Sequence, residues 1–94
     1  MVKIKWTHNA IEELDDIANY ISKDSPKYAL ILVKQIYEMI SHLEKFPKFG
    51  RKVPEYNNSN LREILYKNYR IIYLVKETHL EIISVIHGSR RLKI

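Results

Sequence analysis

The chain has no cysteine, only two glycines and three prolines in its 94 residues. Without thiols there is no disulfide framework and no thiolate metal site, and a reducing compartment such as the cytoplasm fits that composition. The glycines stand far apart, at Gly50 and Gly88, which excludes a glycine-rich phosphate loop. No apolar run approaches the ~18 residues of a membrane span, and the opening residues lack the apolar stretch of a signal peptide. We therefore expect a soluble cytoplasmic protein with no membrane partner. The length leaves room for one domain, residues 1–94.

Acidic charge is scarce in one half only. Residues 1–47 carry 6 basic and 7 acidic side chains, whereas residues 48–94 carry 10 basic and 4 acidic. The basic half fits a polyanionic or acidic partner, such as nucleic acid, a ribonucleoprotein or an acidic protein segment, or else a lysine-rich solvated surface.

Periodicity gives the elements. Val2–Trp6 alternates apolar and polar residues as a half-buried strand does. Thr7 can cap a helix over roughly 8–23, with Ala10, Leu14, Ile17, Ala18 and Ile21 on one face. Ser25-Pro26 stops that helix and restarts another, since proline is tolerated at the first helical position. Its stripe is Ala29, Leu32, Val33, Ile36, Ile40 and Leu43, ending at Phe46-Pro47. So short a connection forces a helical hairpin. Residues 47–60, with two prolines, a glycine and three asparagines, are expected to hold no regular element, and a loop this long tends to be functional. Three strand-like runs follow: Leu61–Tyr66, Tyr69–Val75 and Leu80–His87. Lys67-Asn68 reads as a two-residue hairpin turn, with Asn68 at positive φ. The order β-α-α-β-β-β predicts an α+β fold, a helical hairpin packed on one face of a mostly antiparallel four-stranded sheet that the first strand must rejoin.

If Tyr66 pairs with Tyr69 and Val75 with Leu80, parity divides the last three strands into two faces. One carries Arg62, Ile64, Tyr66, Tyr69, Ile71 and Tyr73. The other carries Glu63, Arg70, Ile72 and, in this register, His87. Both are apolar enough to be partly buried, so parity leaves open which one the helices cover. Arg70 and His87 then share a face near the end from which Arg90-Arg91 departs, and together they form a plausible cationic site. Arg70 could instead be ion-paired with Glu63 or Glu81, and His87 could be a satisfied strand-end histidine. His8, His42, His79 and His87 have no metal-ligand spacing, so neither metal nor cofactor is expected. The seven tyrosines are either amphipathic packing residues or stacking platforms for bases.

The ordered set Trp6, Ala10, Leu14, Ile17, Tyr20-Ile21, then Pro47, Gly50-Arg51, then Leu61-Arg62-Glu63, then Tyr69-Arg70-Ile71-Ile72-Tyr73, then Val85-Ile86-His87-Gly88-Ser89-Arg90 resembles the RelE/ParE superfamily, toxins of type II toxin–antitoxin modules. The resemblance spans nearly the whole chain. It implies a toxin held inactive in a hetero-oligomeric complex with a cognate antitoxin. Its target would be the ribosome and its messenger RNA in RelE-like members, or DNA gyrase in ParE-like ones. Were this a nuclease, Arg70 would hold the phosphate, while His87 and Arg90 would supply an acid/base and a second cation. Leu61 and Glu63 stand where such nucleases carry paired lysines, and no aromatic residue follows Tyr73 to match their C-terminal tyrosine. Other ribosome-dependent members use Glu, Arg and His, so RNA cleavage stays open. The His87-Gly88-Ser89-Arg90 ending is more similar to the ParE-like branch, with Arg51, Lys52, Arg62, Arg70, Arg90 and Arg91 as target contacts. A third possibility is an inactive member that serves with its antitoxin as a co-repressor.

Overall fold

A computed structural model describes residues 1–92; the last two residues of the basic tail lie outside the described residues. Strand β1 (Lys3–Trp6) leads into helix α1 (His8–Ser22), and after three residues into α2 (Pro26–Ser41) and a 3₁₀ turn (His42–Glu44). Strands β2 (Arg51–Lys52), β3 (Leu61–Tyr66), β4 (Tyr69–Val75) and β5 (His79–His87) complete the chain. Both helices start as their sequences dictate. Thr7 Oγ1 accepts from the Ala10 amide at 3.2 Å, and Ser25 Oγ accepts from the Tyr28 amide at 3.2 Å with Pro26 behind it.

The sheet has five strands in the order β1-β5-β4-β3-β2, parallel between β1 and β5 and antiparallel elsewhere. The extra strand is β2, inside the segment expected to lack regular structure. Its two residues pair with Glu63 and Arg62, so an available sheet edge overrides a loop-like composition. Gly50 makes that approach possible. A Cβ there would lie 2.6 Å from the Glu63 carbonyl and 2.7 Å from the Tyr73 hydroxyl, to which the Gly50 amide donates at 2.9 Å. The β3–β4 hairpin has the expected register, Tyr66 opposite Tyr69, but Lys67 rather than Asn68 takes the positive φ, at 52°. The Lys67 ammonium donates to Tyr28 Oη at 3.0 Å and lies 5.0 Å from that ring's centroid. The Asn68 carbonyl meanwhile accepts from the Gly88 amide.

The helices cover the face of Ile64, Ile71 and Tyr73. There Leu14, Leu32, Ile36, Ile40 and Leu43 meet Leu80, Ile82 and Val85 in the main core. The opposite face is closed too, by a smaller cluster in which Val53 of the loop and Leu92 of the tail cover Leu61, Ile72 and Ile86.

One irregularity resets the register of β5. Val75 pairs with Leu80 as expected, but Ile72 faces Ser84 while Tyr73 faces Ile82, leaving Ile83 as an extra residue. This β-bulge reverses the parity of everything beyond it. His87 therefore pairs with Tyr69, not with the face of Arg70, and the shared Arg70–His87 face read from the sequence is corrected. The start of α1 holds the bulge in place. Asn9 Nδ2 donates to the Ile83 carbonyl at 3.0 Å, and the Glu13 carboxylate accepts from the Val85 amide at 3.1 Å and from Ser84 Oγ at 2.7 Å. Because β1 stops at Trp6 opposite Ile82, these edge groups of β5 have no neighbouring strand to bond.

Candidate functional site

The face away from the helices carries Arg51 and Arg70 and, with them, three carboxylate-to-cation links in a row. Glu63 on β3 is fully buried, its side chain 0% exposed, and it accepts from two sides: from Arg70 Nε at 2.6 Å and from Arg51 Nε at 2.6 Å. Arg70 on β4, 7% exposed, turns its other edge to Glu55 in the loop. Nη2 and Nη1 donate to the two Glu55 oxygens at 2.7 and 2.8 Å, a bidentate fork. Nη1 also donates to the Arg90 carbonyl at 3.1 Å, and Glu55 accepts from the Leu92 amide at 2.9 Å. The network thus ties edge strand, central strand, loop and tail together at one buried cation.

The electrostatics follow from those bonds. Glu55 is held well below its ordinary 4.5, at about 2, first by the hydrogen bonds from Arg70 and then by the Leu92 amide. Arg70 is held further into its charged form, chiefly by the same Glu55 bonds. On the helix side, burial raises the Tyr73 hydroxyl, which sits against Gly50.

The remaining candidates fall into two groups. Arg62 serves the loop: its Nε donates to the Ser59 carbonyl at 2.8 Å and its Nη1 to the Gly50 carbonyl at 2.9 Å, while Lys52 beside it is exposed. Arg90 and Arg91 are exposed at the other side, where both line a cleft of about 500 Å³ together with Asn9, Glu13 and Ser84. Arg70 meets Arg90 and Arg91 in an adjoining hollow of about 390 Å³, and His87 meets Arg90 in a third, with Tyr69 and Asp16. His87 is exposed. Its Nδ1 accepts from the Ser89 amide at 3.3 Å, and its ring stands edge-on to Tyr69. Among the described residues no three of His, Asp and Glu converge as metal ligands.

Sequence reasoning missed Glu55 and Glu13, the two carboxylates that organise this face and its edge. Glu55 had a signal: it is the single acid among Lys48, Arg51 and Lys52 in the loop. Glu81, considered as a partner for Arg70, instead pairs with His79 at 3.0 Å and Lys76 at 3.4 Å.

Residues 4–92 match the family model described as the ParE toxin of the type II toxin–antitoxin system parDE. The chain belongs to the ParE toxin family. It is similar to Y4kP of Sinorhizobium fredii, named as a toxin, with 33% identity over 95% of this chain and 91% of that one. It is also similar to toxin RelE2 of Caulobacter vibrioides, at 28% identity over 96% and 99%. In fold it superposes on a chain of the chromosomal ParDE system from P. aeruginosa with a TM-score of 0.75, at 24% identity and 93% and 96% coverage. The YoeB dimer structure from Staphylococcus aureus gives 0.61, at 20% identity and 88% and 92% coverage. This ParE-family toxin therefore has an antitoxin as its expected partner. No helix among its described residues is long and apolar enough to cross a membrane.

Proposed function

We propose that this toxin arrests growth in the cytoplasm by binding DNA gyrase through its surface, without chemistry of its own, and that a cognate antitoxin holds it inactive. The observation that carries this reading is the state of Arg70. To stabilise a phosphorane-like transition state, a guanidinium must present free donors to a phosphate. Arg70 spends four hydrogen bonds on Glu63, Glu55 and the Arg90 carbonyl inside the protein. Releasing it would leave Glu55 without its cation and the buried Glu63 with Arg51 alone. Leu61 and Glu63 add no cation, and His87, paired with Tyr69, belongs to the opposite face of the sheet from Arg70. Of the candidate contacts, Arg90, Arg91 and Lys52 are left to solvent, with Arg51 half engaged by Glu63. They suit contact and long-range attraction.

One observation favours the RelE-like alternative of ribosome-dependent RNA cleavage: His87 and Arg90 line the same hollow, which would seat an acid/base beside a cation. Induction of the toxin with two simultaneous readouts separates these readings. SOS induction and altered plasmid supercoiling with intact transcripts is the expected result. New 5′ ends within translated codons would overturn it in favour of the nuclease. Unimpaired growth with clearly detectable protein would leave only a co-repressor role.

A further inference from the structure

A second surface lies at the far end of the sheet from Arg90 and His87, and the site described above makes no use of it. Where the 3₁₀ turn runs into β2, Phe46 and Phe49 are 54% and 65% exposed, values that leave most of each ring in water. They flank a hollow of about 540 Å³ whose floor is Pro47 and Val75 and whose rim is Lys45 and Lys48. The His42 ring braces both aromatics, 5.0 Å from Phe46 and 5.1 Å from Phe49, centroid to centroid. Local hydrogen bonds fix the backbone: Phe46 donates to the His42 carbonyl and Phe49 to the Phe46 carbonyl. Isolated exposed apolar side chains need no explanation, but a braced pair around a concavity marks an interface.

We infer that this hollow seats one bulky apolar side chain from an acidic segment of the cognate antitoxin. The chemistry of the lining selects the occupant. Two ammonium groups and no acidic side chain line it among the described residues, so an anchor flanked by carboxylates is complementary. Proline and valine suit an aliphatic or aromatic side chain. Family membership makes the antitoxin the expected protein partner, and Arg90 and Arg91 line other hollows. The inference does not rest on gyrase being the target.

The experiment uses the full-length toxin and, as probe, the purified product of the gene adjacent to its own. The variant Phe46→Ala/Phe49→Ala is expected to bind that protein at least tenfold more weakly, as loss of aromatic anchors does. It should keep its toxicity when expressed alone and escape neutralisation on co-expression. The variant Lys45→Glu/Lys48→Glu, which leaves the apolar floor untouched, should associate more slowly and lose part of the salt dependence of the on-rate. Circular dichroism and thermal unfolding confirm that each variant is folded. Unchanged affinity in both variants overturns the inference, as does failure of the wild-type chain to bind the probe. Loss of toxicity with full antitoxin affinity also overturns it, because the hollow would then belong to the target.

Discussion

Nε of Arg70 and Oε1 of Glu63 meet at 2.6 Å on the face of the sheet turned from the helices, with almost no exposure on either side. A charge pair this dry gains little over a well-packed apolar pair while intact, but it is costly to break from one side. Arg70→Ala is therefore expected to lower stability by about 3–5 kcal/mol, read as a fall in the denaturant midpoint. Arg70→Lys should also be destabilised, because an ammonium cannot fork onto Glu55 while reaching Glu63. Loss of toxicity in Arg70→Ala would then report a weakened fold. An Arg70→Ala midpoint equal to wild type would contradict the network described here.

Glu55 gives this arrangement a pH signature. Its folded value of about 2 lies below the ordinary 4.5, so protonation favours the unfolded chain. The stability it contributes is complete above about pH 4.5 and disappears as pH falls through about 2. Glu55→Gln should be less stable than wild type at neutral pH and converge on it towards pH 2. Urea unfolding at several pH values tests this: parallel curves for the two proteins would rule Glu55 out as a source of acid sensitivity.

The bulge in β5 offers a local test. Glu13 takes the Val85 amide and the Ser84 hydroxyl, groups that β1 ends too early to bond. Glu13→Ala should cost about 1–3 kcal/mol, the penalty for leaving such groups unpaired. Amide exchange should accelerate at Val85 more than at Leu80, which lies within the span paired with β1. Uniform acceleration along β5 would mean that the bulge is held by something else.

Much of this fold was legible because it is written in short-range pattern. Thr7 and Ser25-Pro26 mark both helix starts, the apolar stripes name the buried helical positions, and Tyr66–Tyr69 fixes one hairpin. What the sequence hid depends on distant partners. The local pattern does not specify the bulge at Ile83, since Ile82-Ile83 and Val85-Ile86 put apolar residues on both faces in either register; the groups that bond it, Asn9 and Glu13, are far away in the chain. A single slipped residue was enough to separate His87 from Arg70. Strand β2 was hidden likewise, because Arg51-Lys52 pairs with β3 beside the contact of Gly50 with the distant Tyr73. The arginines were identifiable as candidates, but their engagement depended on Glu55, whose loop has no periodicity to read.

The pairing of β1 with β5 has a consequence for how the toxin comes into being. Lys3–Trp6 are made well before their partners, His79–Ile82. A parallel contact of such sequence separation raises the contact order and slows folding. During synthesis β1 waits without its neighbour until β5 has left the ribosome. The nascent chain thus carries an unfinished sheet until β5 emerges, and the toxin surface built on that sheet forms only afterwards.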